Sequence, residues 1–255
     1  RNKILKEFDN FTFFKIDIND KDSIDSLFSK NLYGKVIHLA AQAGVRYSLI
    51  NPITYGESNL TGFLNMIEAC RLYPPENFIF ASSSSVYGDS DKFPLQETDS
   101  TDMPSSLYAA TKKSNELLAY SYSNLYKFHT VGLRFFTVYG PLGRPDMAYF
   151  SFTKSIIENK PIKVFNRGDM YRDFTYITDI INGIFSILNI SSKNLEKDSF
   201  FEIYNIGSGS PINLSVFIEI LESILEKKAD MIFEEMQPGD VFKTFAVPEK
   251  LFQKV

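Results

Sequence analysis

The sequence predicts an α/β protein in which a doubly wound parallel sheet joins a smaller mixed α/β lobe. Three observations predict it. Strand-like and helix-like segments alternate through the first half, which argues for parallel strands with helices on both faces. Val36–Ala40 is a short apolar run of the kind suited to a strand buried on both sides. The second half keeps helix and strand signals but loses the regular alternation, as a lobe of different construction would.

The elements follow in order. Phe11–Ile16 is an aromatic, apolar run ending at Asp17 and reads as a strand. Lys21–Asn31 carries Ile24, Leu27 and Phe28 at helical spacing. After Val36–Ala40, Ile53–Leu72 reads as a helix stopped before Pro74 and Pro75. Phe78–Ser83 is a strand running into a serine-rich turn, Ser105–Tyr126 a long helix and Thr130–Phe136 another strand. Beyond these, Pro145–Asn159 looks helical, Ile162–Phe165 strand-like and Thr178–Leu188 helical. Phe201–Ile206 is a strand, Leu214–Glu226 an amphipathic helix and Met231–Phe233 a further strand. Ser191–Asp198 reads as a surface loop, and no final element is evident before Val255.

Composition excludes several classes. With 27 basic and 31 acidic residues among 255, the net charge of −4 gives no footprint for nucleic acid or an anionic membrane. No apolar run approaches the roughly 20 residues of a membrane helix, and Arg1–Asn10 lacks the pattern of a signal peptide. The single cysteine, Cys70, forbids an intrachain disulfide and fits a reducing, cytoplasmic setting. With two histidines and no ligand spacing, no metal site is expected. His38 reads as a packed core histidine, His129 has no visible partner, and Cys70 is expected to be inert.

Tyr108-Ala-Ala-Thr-Lys112 is the core of the chemistry. At i and i+4 on a helix the two side chains share one face. A phenol near pKa 10 is a poor base at neutral pH, and an adjacent ammonium favours its phenolate. Such a pair can take a proton from a hydroxyl while a hydride leaves the same carbon. Alone the spacing more often describes a solvated helix face. Upstream, a strand ends in Ala81-Ser82-Ser83-Ser84-Ser85-Val86-Tyr87-Gly88. Ligands of open α/β sheets bind beyond the carboxyl ends of strands, where such a hydroxyl could hold a reacting oxygen. A plain serine-rich loop is the bland alternative.

The chain as a whole resembles the extended short-chain dehydrogenase/reductases and, within them, the UDP-glucuronate 4-epimerases. The stretches that carry the resemblance are HLAAQAGVRYS (38–48), ASSSSVYG (81–88), SLYAATKKSNE (106–116), GLRFFTVYGPLGRPDM (132–147) and RDFTYITDI (172–180). NIGSG (205–209) and MQPGDV (236–241) complete the set. The resemblance implies a Rossmann-like, NAD-dependent isomerase acting on a UDP-sugar as a homodimer. Ser83, Tyr108 and Lys112 would be catalytic, with Tyr108 the base and Lys112 also bonding the nicotinamide ribose. Asp17 and Ile18 would lie beside adenine. Leu39, Ala40, Ala41 and Gln42 would form the strand end passing the cofactor, joined by Asn59, Ser82 and Phe135. Thr137 would face the sugar, Arg144 and Arg172 would bear on the nucleotide, Phe165 would stack on uracil and Asp240 would bond the ribose. Without the family, Phe165 reads as a core aromatic and each arginine as a surface ion pair. Arg46 would add positive charge near the substrate.

Ser85 bears on the reaction. Related decarboxylases and dehydratases carry glutamate two before the motif tyrosine, and its absence removes an acid/base group used for elimination or carbon loss. The expected reaction is conversion of UDP-glucuronate to UDP-galacturonate through a 4-keto sugar, with hydroxyls of Ser84, Ser85 and Thr137 on the carboxylate. Epimerisation of neutral or N-acetylated UDP-hexoses, decarboxylation, dehydration and a non-catalytic binding fragment stay open as alternatives. Val247 and Thr178 depart from family aspartate and acidic residues, away from the chemistry. No G-x-x-G-x-x-G occurs, so the first βαβ elements are expected to be missing, roughly 50 residues at the front and a few tens at the back. The expected division is 1–140 for NAD and 141–255 mainly for the nucleotide sugar, with 172–190 and 201–209 returning to the sheet.

Overall fold

A computed structural model describes residues 2–189 and 200–254. The expected loop at Ser191–Asp198 lies outside the described residues. Four parallel strands form the main sheet in the order β1 (Lys35–His38), β2 (Asn77–Ser83), β3 (Thr130–Phe135) and β7 (Phe201–Ile206). Their register puts Ser83 beside Phe135 and Phe135 beside Ile206, so the carboxyl ends open on one edge.

Both faces of this sheet are covered. Along β2 successive side chains point to opposite faces. Phe78 and Phe80 enter a cluster with Ile24, Phe28, Phe63, Ile67 and Ala119 from helices α2 (Lys21–Lys30), α5 (Gly62–Leu72) and α6 (Leu107–Tyr126). Ile79 enters the opposite cluster with Leu133 and with Ile180 and Ile184 of α8 (Ile177–Asn189). Gly132 lets β3 lie close: a Cβ there would meet Ile203 at 2.5 Å and Phe80 at 2.7 Å.

A smaller lobe is built from α7 (Ala148–Ile157), β5 (Ile162–Phe165), α9 (Leu214–Leu225) and β9 (Met231–Glu234) around Ile156, Ile162, Val164 and Ile218. Strands β5 and β9 pair in parallel. A three-stranded sheet of β4 (Thr137–Tyr139), β6 (Tyr171–Tyr176) and β8 (Pro211–Asn213) links the two parts. Short helices α1 (Asn2–Leu5), α3 (Val45–Ile50), α4 (Pro52–Tyr55) and α10 (Glu249–Phe252) complete the chain, α10 being an element the sequence did not announce. No described helix is long and apolar enough to cross a membrane.

Some expectations need correction. Phe11–Ile16 is not a strand: it has no ladder partner among the described residues, and Phe13 and Phe14 are exposed. An apolar run becomes a strand only when a neighbour takes its backbone groups. The run from Val36 leaves the ladder after His38. The helix expected over Ile53–Leu72 is helical throughout but widens to a π-helix over Gly56–Thr61, between α4 and α5. His129 has a neighbour after all, with its ring 5.2 Å from that of Phe200. His38 is packed among Phe63 and Phe78, where burial pushes its pKa down to about 4. Burial also pushes the Cys70 thiol up to about 12.

One ion pair ties the sheet to α6. Glu116 accepts two bonds from Arg134, at 2.8 and 2.9 Å, and a third from the Ser82 hydroxyl at 2.6 Å. Both charged residues are buried, and the guanidinium also lies 4.7 Å from the Tyr87 ring. Glu116→Ala strands a buried cation and is expected to cost about 3–5 kcal/mol in urea unfolding. Replacing both partners by Leu and Met should recover part of that loss. A single-variant loss no larger than that of the double variant would count against the coupling.

Candidate active site

The candidate catalytic residues converge where β2 ends. Ser83 keeps extended backbone geometry, and its hydroxyl caps the 3₁₀ turn Ser84–Tyr87 by accepting from the Ser85 backbone N–H at 3.2 Å. The same Oγ donates to the Ser85 hydroxyl at 3.2 Å. Helix α6 starts beside this turn because Ser106 caps it, accepting from the Ala109 N–H at 3.1 Å. Tyr108 therefore sits in the first turn of α6, and Lys112 follows one turn later.

Lys112 is buried, and its ammonium donates to the Ala81 carbonyl at 2.7 Å. Desolvation pushes its pKa down to about 8. Tyr108 is shifted the other way: burial raises its pKa, while hydrogen bonding from Ser83 and the charge of Arg144 pull it down. The sequence assigned that charge to Lys112. The electrostatic neighbour of the phenol is instead Arg144, which also bonds Asp146 through two nitrogens.

A cavity of about 870 Å³ joins these residues to the smaller lobe. Leu39, Ala41, Ser82, Ser83, Ser84, Ser85, Tyr108, Lys112, Phe135 and Thr137 line it from the main sheet. Arg46, Arg144, Phe165, Arg172 and Asp240 line the remainder. Asp240 accepts from Arg172 at 2.8 Å and stands 3.6 Å from Arg46, whose guanidinium lies 4.6 Å from the centre of the Phe165 ring. Burial lowers the Arg172 pKa, against the pull of Asp240. Two guanidiniums sharing one carboxylate leave net positive charge on this wall, suited to phosphate oxygens.

Five expected cofactor residues do not line the cavity: Asp17, Ile18, Ala40, Gln42 and Asn59. Asp17 accepts from the Asn19 backbone in its own turn, and Ile18 is bonded through its carbonyl to Asn65 at 3.0 Å. Asn59 acts indirectly. It accepts from the Gln42 N–H at 2.8 Å and donates to the Gln42 carbonyl and the Thr111 hydroxyl, each at 3.0 Å. Thr111 in turn donates to the Tyr108 carbonyl at 2.8 Å, so Asn59 ties the segment after β1 to the first turn of α6, which carries Tyr108. Ser82 lines the cavity, but its hydroxyl is committed to Glu116. Thr111, Glu116 and Arg134 escaped the sequence reading; the i, i+4, i+8 spacing of Tyr108, Lys112 and Glu116 could have flagged Glu116.

The site fits a bound dinucleotide. Lys112 holds a buried ammonium with three donors and one protein acceptor in hydrogen-bond reach, which leaves donors for ribose hydroxyls. Among the described residues no cluster of His, Cys, Asp or Glu could hold a metal.

Comparison with known proteins gives the same direction. Residues 1–207 match the model of the NAD dependent epimerase/dehydratase family. The chain is 46% identical over 258 residues to protein CapI of Staphylococcus aureus, covering 97% of this chain and 77% of that protein. It is 47% identical over 234 residues to UDP-glucuronate 4-epimerase 1 of Arabidopsis thaliana, spanning 88% of this chain and 54% of that one. Among solved structures, it is similar to UDP-glucuronic acid 4-epimerase from Bacillus cereus, in complex with UDP-glucuronic acid and NAD. There the TM-score is 0.90 at 34% identity, over 99% of this chain and 77% of the other.

The Lys112 shift has a measurable consequence. The unfolded lysine holds its proton up to about 10.4, the folded one only to about 8. Between those values the unfolded state binds more protons, so stability rises with pH, by at most about 1.4 kcal/mol per unit. In chemical unfolding without added NAD, wild-type stability minus that of Lys112→Met should climb from pH 8 to 10; a flat difference would contradict the shift.

Proposed function

The chain belongs to the NAD-dependent epimerase/dehydratase family, and from that premise we propose that it interconverts UDP-glucuronate and UDP-galacturonate. NAD-dependent epimerisation of a UDP-sugar at C4 is what the relatives named as UDP-glucuronate 4-epimerases support; the uronate is the finer reading. One observation carries it. Ser83, Ser84 and Ser85 line the cavity with Tyr108, and Arg144 bears on the same phenol, so this wall offers hydroxyl donors and a cation. The carboxylates lining the cavity, Asp146 and Asp240, are both paired with arginines, and Ser85 stands where elimination and decarboxylation chemistry uses glutamate.

In this reading Ser83 donates a hydrogen bond to O4 of the sugar. Tyr108, as phenolate, takes the O4 proton and returns it after the transient 4-keto sugar has turned its other face. NAD supplies reversible hydride transfer at C4 when bound. Lys112 would hold the nicotinamide ribose, Phe135 would pack beside the ring, and Leu39 and Ala41 would flank the cofactor. Asp17 and Ile18, outside the cavity, would lie toward adenine, while Gln42, held in place by Asn59, and Ala40 would border the cofactor. Thr137 faces the sugar, Phe165 stacks on the base, and Arg46, Arg172 and Asp240 bind the diphosphate and ribose. Ser84, Ser85 and Thr137 take the uronate carboxylate, and Arg144, expected on the nucleotide, stands instead beside Tyr108, where it adds positive charge to the same wall. Residues 1–140 then carry the cofactor, and 141–255 mainly the sugar nucleotide. The enzyme works as a homodimer, which exposed Leu64, Leu117 and Tyr120 on α5 and α6 support.

The test is a substrate panel with NAD-loaded enzyme. UDP-glucuronate should give its 4-epimer without carbon dioxide, with kcat/KM at least tenfold, on the order of 1.4 kcal/mol, above that for UDP-glucose and UDP-N-acetylglucosamine. Preference for a neutral hexose would overturn the uronate assignment, and carbon dioxide release would overturn epimerisation. Tyr108→Phe should lower kcat by about 10²-fold or more.

A further inference from the structure

Tyr55 lies outside the residues that line the cavity, yet its contacts join two parts of the active site. It ends α4 and is completely buried, among the largest side chains so enclosed. Its ring meets the Tyr108 ring edge to face, with centroids 6.1 Å apart at 79°. Its hydroxyl donates to the Gly44 carbonyl at 2.6 Å and stands 3.2 Å from the Ala43 carbonyl. Gly44 has φ of +106°, a conformation that side-chain-bearing residues avoid. A Cβ on Gly44 would stand 3.2 Å from Nη2 of Arg144 and 3.9 Å from the Tyr55 hydroxyl.

We propose that Tyr55 is a positioning residue for catalysis: its ring sets the Tyr108 phenol, and its hydroxyl fixes the Ala43–Gly44 turn against which Arg144 stands. Phenylalanine would fill the same core space, so the hydroxyl answers to another demand. That demand is the pair of carbonyls at Gly44 and Ala43, which the hydroxyl meets at 2.6 and 3.2 Å just before α3. A phenol carries one proton, so its shorter bond, to Gly44, is the primary anchor. Burial also raises the Tyr55 pKa, which keeps the hydroxyl a donor and sets this tyrosine apart from a proton acceptor in the reaction. Tyr47 packs on it from another side at 6.2 Å, and the π-helix begins at the next residue, so the ring is held from several directions. Two consequences are separable. The ring governs a group that moves the proton, hence turnover. The hydroxyl governs a turn on the cavity wall beside Arg144, hence binding.

The inference rests on Tyr108 as the base and not on which sugar is preferred. Tyr55→Phe and Tyr55→Leu are compared in NAD-loaded enzyme with UDP-glucuronate. The phenylalanine variant should raise KM about three- to tenfold with kcat within about twofold of wild type. The leucine variant should lower kcat about tenfold or more, since small misplacements of reacting groups are costly. A second readout needs no turnover. Tyrosinate absorbance of Tyr108, isolated by difference against Tyr108→Phe, should ionise at lower pH in Tyr55→Leu, where water replaces the ring, and stay unchanged in Tyr55→Phe. Equal kinetic losses in both variants, or an unmoved Tyr108 ionisation in folded Tyr55→Leu, would overturn the proposal. If UDP-glucuronate is not turned over by wild type, the substrate assignment fails, while the titration still decides the role of Tyr55.

Discussion

The buried pair of Glu116 and Arg134 is the constraint on which the geometry of the site depends. Tyr108, Lys112 and Glu116 recur every four residues on α6, so they climb one side of the helix with a drift of about 40° per step. Arg134 comes from β3 and Ser82 from β2, and both bond the Glu116 carboxylate. The rotation of α6 is therefore referred to two strands at once. Turning the helix would carry Tyr108 away from Ser83 and also break the bidentate pair. Burying two charges costs several kcal/mol for each, and the attraction repays this only when geometry and hydrogen bonds are complete. Here three hydrogen bonds serve the carboxylate, and the remaining face of the guanidinium meets Tyr87 and the Glu97 carbonyl. Tyr87 extends the same network to Asn205 of β7 through its hydroxyl at 2.7 Å.

Within that frame, burial acts on the two candidate catalytic groups in opposite senses on the pH scale and in the same sense chemically. It raises Tyr108 and lowers Lys112, favouring the uncharged form of each. The sequence suggested a simpler arrangement, with lysine as the charge that draws out the phenolate. The structure commits one lysine bond to the Ala81 carbonyl and gives the opposing influences on Tyr108 to Ser83 and Arg144. The residue pair was readable from an i, i+4 spacing. The division of labour was not, because it depends on a chain reversal that brings residue 144 to residue 108.

The same distinction explains how much of the fold could be read in advance. Strands β2, β3 and β7 and helices α2, α6, α8 and α9 were legible because apolar period, capping serine and turn residues agree locally. Strand β6 was quoted as a motif but not read as a strand. Its pattern is set by Asp173, a fully buried carboxylate that accepts from the Ser208, Gly209 and Ala246 backbone at 2.7, 3.0 and 3.1 Å. Nothing local announces those partners. Phe11–Ile16 failed in the opposite direction, since its apolar pattern is strand-like while pairing requires a neighbour that the described residues do not supply. The π-helix at Gly56–Thr61 was equally hidden, although it brings Asn59 to Gln42 and Thr111.

The arginine wall follows from the same logic of assembly. Arg46 follows β1, Phe165 ends β5, Arg172 lies in β6 and Asp240 in the loop after β9, so the cluster needs both parts of the molecule in place. Taken singly, each arginine could be read as an ordinary surface ion pair. Together they differ from that in charge count, because one carboxylate is divided between two guanidiniums. Arg172 also spends donors on the Tyr171 and Phe242 carbonyls, which fixes its plane. Arg46 has the looser ion pair and the Phe165 ring beneath it. Under the proposed function, an incoming diphosphate would recruit Arg46 without breaking the bonds that orient Arg172. On the proposed reading, the nucleotide end is held by one rigid cation and one adjustable cation, while the sugar end must let its ring turn beside Tyr108.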